Sequence, residues 1–167
     1  MTQPGPPRPV EAVAQRVREL RTDRGWSRRK LGEELTEAGL EWDRDIVTNF
    51  ELGRRRTLSV DEFLILAFVL DIAPVHLLVP PYPQRGSEGW RPDGPDDSAP
   101  YQVTPKLLAS CHEVRQFVRA YEPLPGQDPW KFYEQRPPHE RIPPEELKRR
   151  AAAAAQRAHA RNGDGAD

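Results

Sequence analysis

Basic side chains are the residues most able to do chemistry. Arg16, Arg18, Arg21, Arg24, Arg28, Arg29 and Lys30 face only Glu19 and Asp23 across residues 16–30, a local charge of +5, and Arg54, Arg55 and Arg56 form a second cluster. Guanidinium and ammonium groups bind anions, above all phosphates, through charge-assisted hydrogen bonds. Arg28, Arg29 and Lys30 follow Ser27, a good N-cap, so they fall in the first turn of a helix. Cations there oppose the helix dipole at a few tenths of a kcal/mol each, and a bound phosphate reverses the sign. The alternative is a solvated basic face with its stems lying along the surface. Catalytic chemistry has little support. Cys111-His112-Glu113 has no further ligand or base at suitable spacing, and His76, His139 and His159 are isolated. No glycine-rich phosphate loop, HExxH or Gly-x-Ser-x-Gly pattern occurs. No enzyme activity, metal or cofactor is expected.

The 167 residues carry 25 Lys+Arg and 26 Asp+Glu, for a net charge of −1, which excludes a uniformly basic nucleic-acid coat and an acidic solvating tail. The longest apolar run, Phe63 to Leu70, is far short of the ~20 residues a membrane span needs. The first residues show no charged or apolar signal region, and the single Cys111 cannot form an internal disulfide or a multi-cysteine zinc site. A cytoplasmic location is expected.

Residues 1–80 hold 28 of the Val, Ile, Leu, Met, Phe and Trp residues and residues 81–167 hold 12, whereas prolines number six and 13. The first half is therefore the expected globular domain. Val10, Val13, Val17 and Leu20 recur at helical spacing, and Gly25 offers a stop. A second helix starts at Ser27, buries Leu31 and Leu35, and ends at Gly39. A third starts at Asp43, with Trp42 and Val47 at the spacing of a hydrophobic staple, and closes at Gly53. Ser59 with Glu62 is a capping box opening a fourth, apolar nearly all round from Val60 to Leu70 and so expected at the buried centre. Pro74 opens a short fifth. No strand-like alternation is apparent.

The segments Trp26-Ser27-Arg28-Arg29-Lys30-Leu31-Gly32, Val47-Thr48-Asn49-Phe50-Glu51-Leu52-Gly53-Arg54 and Ser59-Val60-Asp61-Glu62-Phe63-Leu64 resemble the lambda-repressor-like helix-turn-helix of Cro/cI-type (XRE) regulators. The arginine-rich stretch after Gly53 resembles actinobacterial members in particular. The resemblance covers roughly residues 10–80. It implies a five-helix all-α DNA-binding domain, with residues 44–52 as the recognition helix in the major groove and the second helix crossing the phosphate backbone. It places Arg44, Asp45, Thr48 and Asn49 at the groove, which agrees with Val47 and Phe50 facing inward. Arg28, Arg29, Lys30, Arg54, Arg55 and Arg56 are then expected phosphate contacts. Glu51 is expected to be structural, accepting hydrogen bonds near the helix end or pairing with an arginine, and Ile46 could face either core or groove. Three features depart from the family: Arg28 replaces its Gln, Gly32 its Ala, and the stretch Thr36 to Asp45 is about five residues longer than its common turn. Seven acids against Arg44 alone between Leu31 and Glu51 oppose DNA unless most point away.

Around this domain the expected organisation is a disordered segment 1–9, a Pro/Gly/Asp-rich linker 81–103, an amphipathic helix 104–122, and a Pro-rich segment with an exposed Ala-rich helix over 123–167. Leu107, Cys111, Val114, Val118 and Tyr121 stripe the 104–122 segment, and one amphipathic helix cannot bury its own stripe, so it needs a protein partner or a second copy. Asp128 to Tyr133 is expected to be a local packing patch rather than a base-stacking platform. The expected function is a sequence-specific transcriptional regulator, a repressor that binds double-stranded DNA as a homodimer. The alternative is an antitoxin-like or adaptor module whose helix-turn-helix binds protein.

Overall fold

A computed structural model of the chain describes residues 5–79 and 99–163, without the side chains of Ala154 and residues 157–163. It is mostly helical with one small sheet, and it divides into two compact units, one ending at Cys111 and the other beginning at His112.

In the first unit five helices lie where capping and periodicity place them. Helix α1 (Pro9–Asp23) begins on a proline, whose missing N–H costs nothing at that position, and buries Ala12, Val13, Ala14 and Val17. Helix α2 (Arg28–Glu37) is capped by Ser27, whose Oγ accepts the Lys30 N–H at 3.1 Å. Helix α3 (Arg44–Glu51) is capped by the Asp43 carboxylate, which accepts the N–H groups of Asp45 and Ile46 at 2.9 and 2.8 Å. Helix α4 (Val60–Val69) carries the expected Ser59–Glu62 capping box, and α5 (Pro74–Leu78) opens on proline. Their inward faces form one core in which Val17, Leu31, Leu35, Phe50, Leu66, Leu70 and Leu77 are fully buried. Trp42 closes it, edge-on to Phe50 with ring centroids 5.0 Å apart.

The turn between α2 and α3 explains one unusual residue. Gly39 stands at φ +90°, which lets the Leu40 N–H fold back onto the Leu35 carbonyl at 2.8 Å and end α2. The chain then passes directly over α2 at Gly32. A Cβ there would lie 2.7 Å from the Trp42 carbonyl oxygen and 3.3 Å from the Asp43 carbonyl carbon. The long turn and the missing side chain at position 32 are therefore one feature: only glycine leaves room for that backbone.

Several expectations are corrected. Helix α4 is not the buried centre: Val60, Leu64 and Phe68 are 72%, 49% and 80% exposed, and within the helix only Leu66 and Ala67 are fully enclosed. The small domain has too few elements to cover all faces of an apolar helix. No helix spans 104–122. Strands β1 (Pro100–Thr104) and β2 (Leu107–Ser110) form an antiparallel hairpin instead, pairing Tyr101 with Ala109 and Gln102 with Leu108. Pro105 and Lys106 make the turn, with the Lys106 N–H on Thr104 Oγ1 at 3.2 Å. The hairpin belongs to the helical unit. Tyr101 is buried and its hydroxyl donates to the Leu78 carbonyl at 2.9 Å, and the Gln102 N–H donates to the Pro7 carbonyl at 3.2 Å. The domain thus extends beyond residue 80. Of the expected disordered segment 1–9, residues 1–4 lie outside the described ones, the Pro7 carbonyl is bonded by the hairpin, and Arg8 stands at the N-cap position of α1 with its N–H donating to Glu11 at 3.1 Å. Of the expected linker 81–103, residues 81–98 lie outside the described ones and 100–103 are strand.

Helix α6 (Cys111–Val118), which belongs to the second unit from His112 on, ends where Ala120 takes φ +57°. Helix α7 (Pro129–Glu134) is capped by Asp128 and buries Tyr133, whose ring stacks under the Arg136 guanidinium at 5.1 Å. Phe117, Phe132 and Tyr133 pack together, as a local patch should, while Trp130 stays 44% exposed. After a single 3-10 turn at Pro138–Glu140, helix α8 (Pro144–Gly163) runs from Pro144 through the alanine run. Ala151 is buried, so that helix is not wholly exposed. Val118 and Tyr121, two members of the apolar stripe read over 104–122, are 39% and 53% exposed.

Candidate nucleic-acid interface

The basic residues near α2 converge on an open basin of about 780 Å³, lined by Arg18, Arg21 and Thr22 of α1, Ser27, Arg28 and Arg29 at the start of α2, and Arg44 at the start of α3. Its electrostatics are set by one buried carboxylate. The Glu51 side chain has no exposed surface and receives the Arg21 guanidinium in a two-pronged pair, Nε to Oε1 at 2.5 Å and Nη2 to Oε2 at 3.0 Å. Arg28 Nε donates to the same Oε2 at 2.8 Å. Arg21 also donates through Nη1 to the Trp26 carbonyl at 2.7 Å. Two guanidiniums on one carboxylate leave a positive excess, and the network ties α1, α2 and the end of α3 together. Removing one partner of such a buried pair costs roughly 3–5 kcal/mol. Glu51 is thus structural, as expected.

The acids that argue against an anion partner are largely accounted for. Glu33 pairs with Arg29 at 3.6 Å, Glu34 pairs with Lys30, Glu51 is buried beneath two arginines, and Asp43 is spent as a cap. Exposed pairs of this kind are worth about 0–1 kcal/mol, so Arg29 and Lys30 can exchange their partners for a phosphate. Among the described residues no carboxylate lines the basin.

On α3, Val47 and Phe50 are buried, Ile46 is partly buried against the core, and Arg44, Asp45 and Asn49 are exposed, with Thr48 half-buried. The Thr48 hydroxyl donates to the Arg44 carbonyl at 2.7 Å. Asn49 is steadied from the other side: its carbonyl accepts the Arg54 N–H at 2.9 Å, and its Oδ1 lies 3.4 Å from Arg54 Nη1.

The second basic cluster is split. Arg54 and Arg56 are exposed, but Arg55 folds inward. Its guanidinium lies 4.8 Å above the Trp42 ring and donates to Glu62 Oε1 at 2.6 Å, where the Trp42 indole N–H also donates at 3.3 Å. Burial alone would raise the Glu62 pKa, but the Ser59 N–H and Arg55 outweigh it and hold the carboxyl below its ordinary value. Arg55 is a strut between the Arg54–Arg56 segment, the α2–α3 turn and α4, and it leaves the set of free cations. Arg18, Arg21 and Thr22 were not among the expected site residues. Their 18, 21, 22 spacing, one face of α1, was the available signal. Among the described residues no group of three or more His, Cys, Asp or Glu could hold a metal.

Comparison of the chain with protein-family models, with curated proteins and with solved structures returned no match.

Proposed function

We propose that the chain is a sequence-specific DNA-binding transcriptional regulator of the lambda-repressor-like helix-turn-helix kind, acting as a repressor in the cytoplasm. Helix α3 enters the major groove and the start of α2 lies along the phosphate backbone. The observation that carries this is the arginine basin, with no carboxylate among its described lining residues, beside the outward polar face of α3. A cleft of one sign concentrates counter-charge, and DNA is the polyanion whose groove admits a helix. Asn49 reads adenine, the Thr48 methyl meets a thymine methyl, and Asp45 accepts from a cytosine amino group. Half-sites read by two copies lie one helical turn apart, ~34 Å, or a multiple of it.

Selection of bound sequences from a random duplex library with the full chain tests this. A defined motif is expected, with Asn49→Ala losing ~1–3 kcal/mol on that motif and far less on mixed DNA. Equal losses on both remove α3 from base reading.

The exposed apolar stripe Val60, Leu64 and Phe68 favours a second reading, a protein-interaction module with little DNA binding. Recovery of no motif, with weak duplex binding at every salt concentration, is its signature.

A further inference from the structure

We infer that Arg44 does not read a base but, together with Arg18, grips the sugar-phosphate backbone of duplex DNA in the basin at the meeting of α1, α2 and α3. This deepens the regulator reading and rests on it.

The geometry distinguishes Arg44 from its neighbours on α3. It is the first helical residue after the Asp43 cap, and its side chain lines the same concavity as Arg18, Arg28 and Arg29. Asn49 and Thr48 do not line it. Five guanidiniums surround the basin and the one carboxylate beneath them, Glu51, is already shared by Arg21 and Arg28. Arg29 has Glu33 at 3.6 Å. Among the described residues Arg18 and Arg44 have no ion pair at all, so these two add their full charge to the positive excess left by Arg21 and Arg28 on Glu51. Like charges gathered around one open hollow repel one another, and an anion in the hollow converts that repulsion into attraction.

The donors also suit a phosphodiester. Ser27 Oγ accepts from the Lys30 N–H, which leaves its own proton free to point into the basin. Guanidinium forks match paired phosphate oxygens. The cations come from three helices around a wide, open hollow, an arrangement suited to linked phosphates such as the successive phosphates of a strand. Phosphate contacts set the position of a protein on DNA without carrying sequence information. Base selection by α3 therefore falls to Thr48, Asn49 and Asp45.

Arg18→Ala and Arg44→Ala, each in the full chain, are compared with the unaltered protein by fluorescence anisotropy on a selected duplex and on a mixed-sequence duplex across a salt series. Both positions are exposed, so the fold is expected to survive. Each substitution should weaken binding to both duplexes by the same factor, lower the salt slope by about one, and leave the preferred bases unchanged. A changed base preference for Arg44→Ala with the slope intact overturns the grip and leaves DNA binding standing. A parallel NMR titration of the arginine Nε–H signals with inorganic pyrophosphate separates the two claims. Saturable shifts at Arg18 and Arg44 without any duplex binding refute DNA as the occupant while keeping the anion site. Absence of shifts at both residues refutes the site itself.

Discussion

Gly32→Ala should destabilise the protein, although the same change in an ordinary exposed helix stabilises it. Helix propensity alone favours Ala by about 1 kcal/mol. The added Cβ, however, would sit 2.7 Å from the Trp42 carbonyl oxygen, 3.3 Å from the Asp43 carbonyl carbon and 3.5 Å from the Arg44 nitrogen. Optimal separations between such atoms are about 3.5–4.0 Å, so the nearest contact must open by several tenths of an ångström. All three atoms are backbone, and they include the cap of α3, so no side-chain rotation relieves the clash. Overpacking costs about 1–3 kcal/mol; because the clash is with backbone that cannot rotate away, the upper part of that range applies, and after the propensity gain of about 1 kcal/mol the net loss reaches about 2 kcal/mol. For a domain of this size a loss of about 2 kcal/mol lowers Tm by roughly 8–16 °C. Thermal unfolding of the full chain followed by circular dichroism measures it. The relief also moves the start of α3 relative to α2, so affinity for the selected duplex should fall more than affinity for mixed DNA. A rise in Tm would refute the close approach of turn and helix.

Three further changes test other parts of the structure. Glu51→Gln leaves two guanidiniums facing a neutral amide and should cost about 3–5 kcal/mol in denaturant unfolding; a loss below about 1 kcal/mol would show that the pair adds nothing. Tyr101→Phe should cost about 1 kcal/mol at neutral pH by orphaning the Leu78 carbonyl. Burial also raises the Tyr101 pKa above its ordinary value of 10.0, so the folded form keeps a proton that the unfolded form releases above about pH 10. The stability advantage of wild type over Tyr101→Phe should therefore be constant below that pH and shrink by up to about 1.4 kcal/mol per unit above it. A widening advantage would contradict the buried hydroxyl. Phe50→Ala should cost about 3–5 kcal/mol and Phe68→Ala within about 0.5 kcal/mol, because the first ring is fully buried and the second 80% exposed; equal losses would return α4 to the core.

The helices were legible where a cap and a period agree. Ser27, Asp43 and the Ser59–Glu62 box each open a helix one residue on, and Val17, Leu31 and Phe50 face inward as their spacing requires. The hairpin was missed because Thr104-Pro105 serves equally as a helix start and as a turn. The deciding signal was the alternation of Tyr101 and Val103 with Gln102 and Thr104, a period of two rather than 3.6. Composition overstated the burial of α4, because an apolar sequence does not say how many neighbours are available to cover it. At the interface, charge counting found the basic residues but not their obligations. Arg55 is held by Glu62 and Trp42, and Arg28 by Glu51, partners 7 and 23 residues away that spacing within one helix cannot reveal. The tight fit at Gly32 was invisible for the same reason, since it depends on where the turn passes.

Binding of the full chain to mixed-sequence duplex DNA across a salt series tests the central claim most directly. With the basin and the exposed Arg54 and Arg56 together neutralising roughly five phosphates, log Kobs should fall linearly with log salt at a slope of about −4 to −5. Undetectable binding at low salt, or a slope near zero, would contradict the assignment of this basic face to DNA.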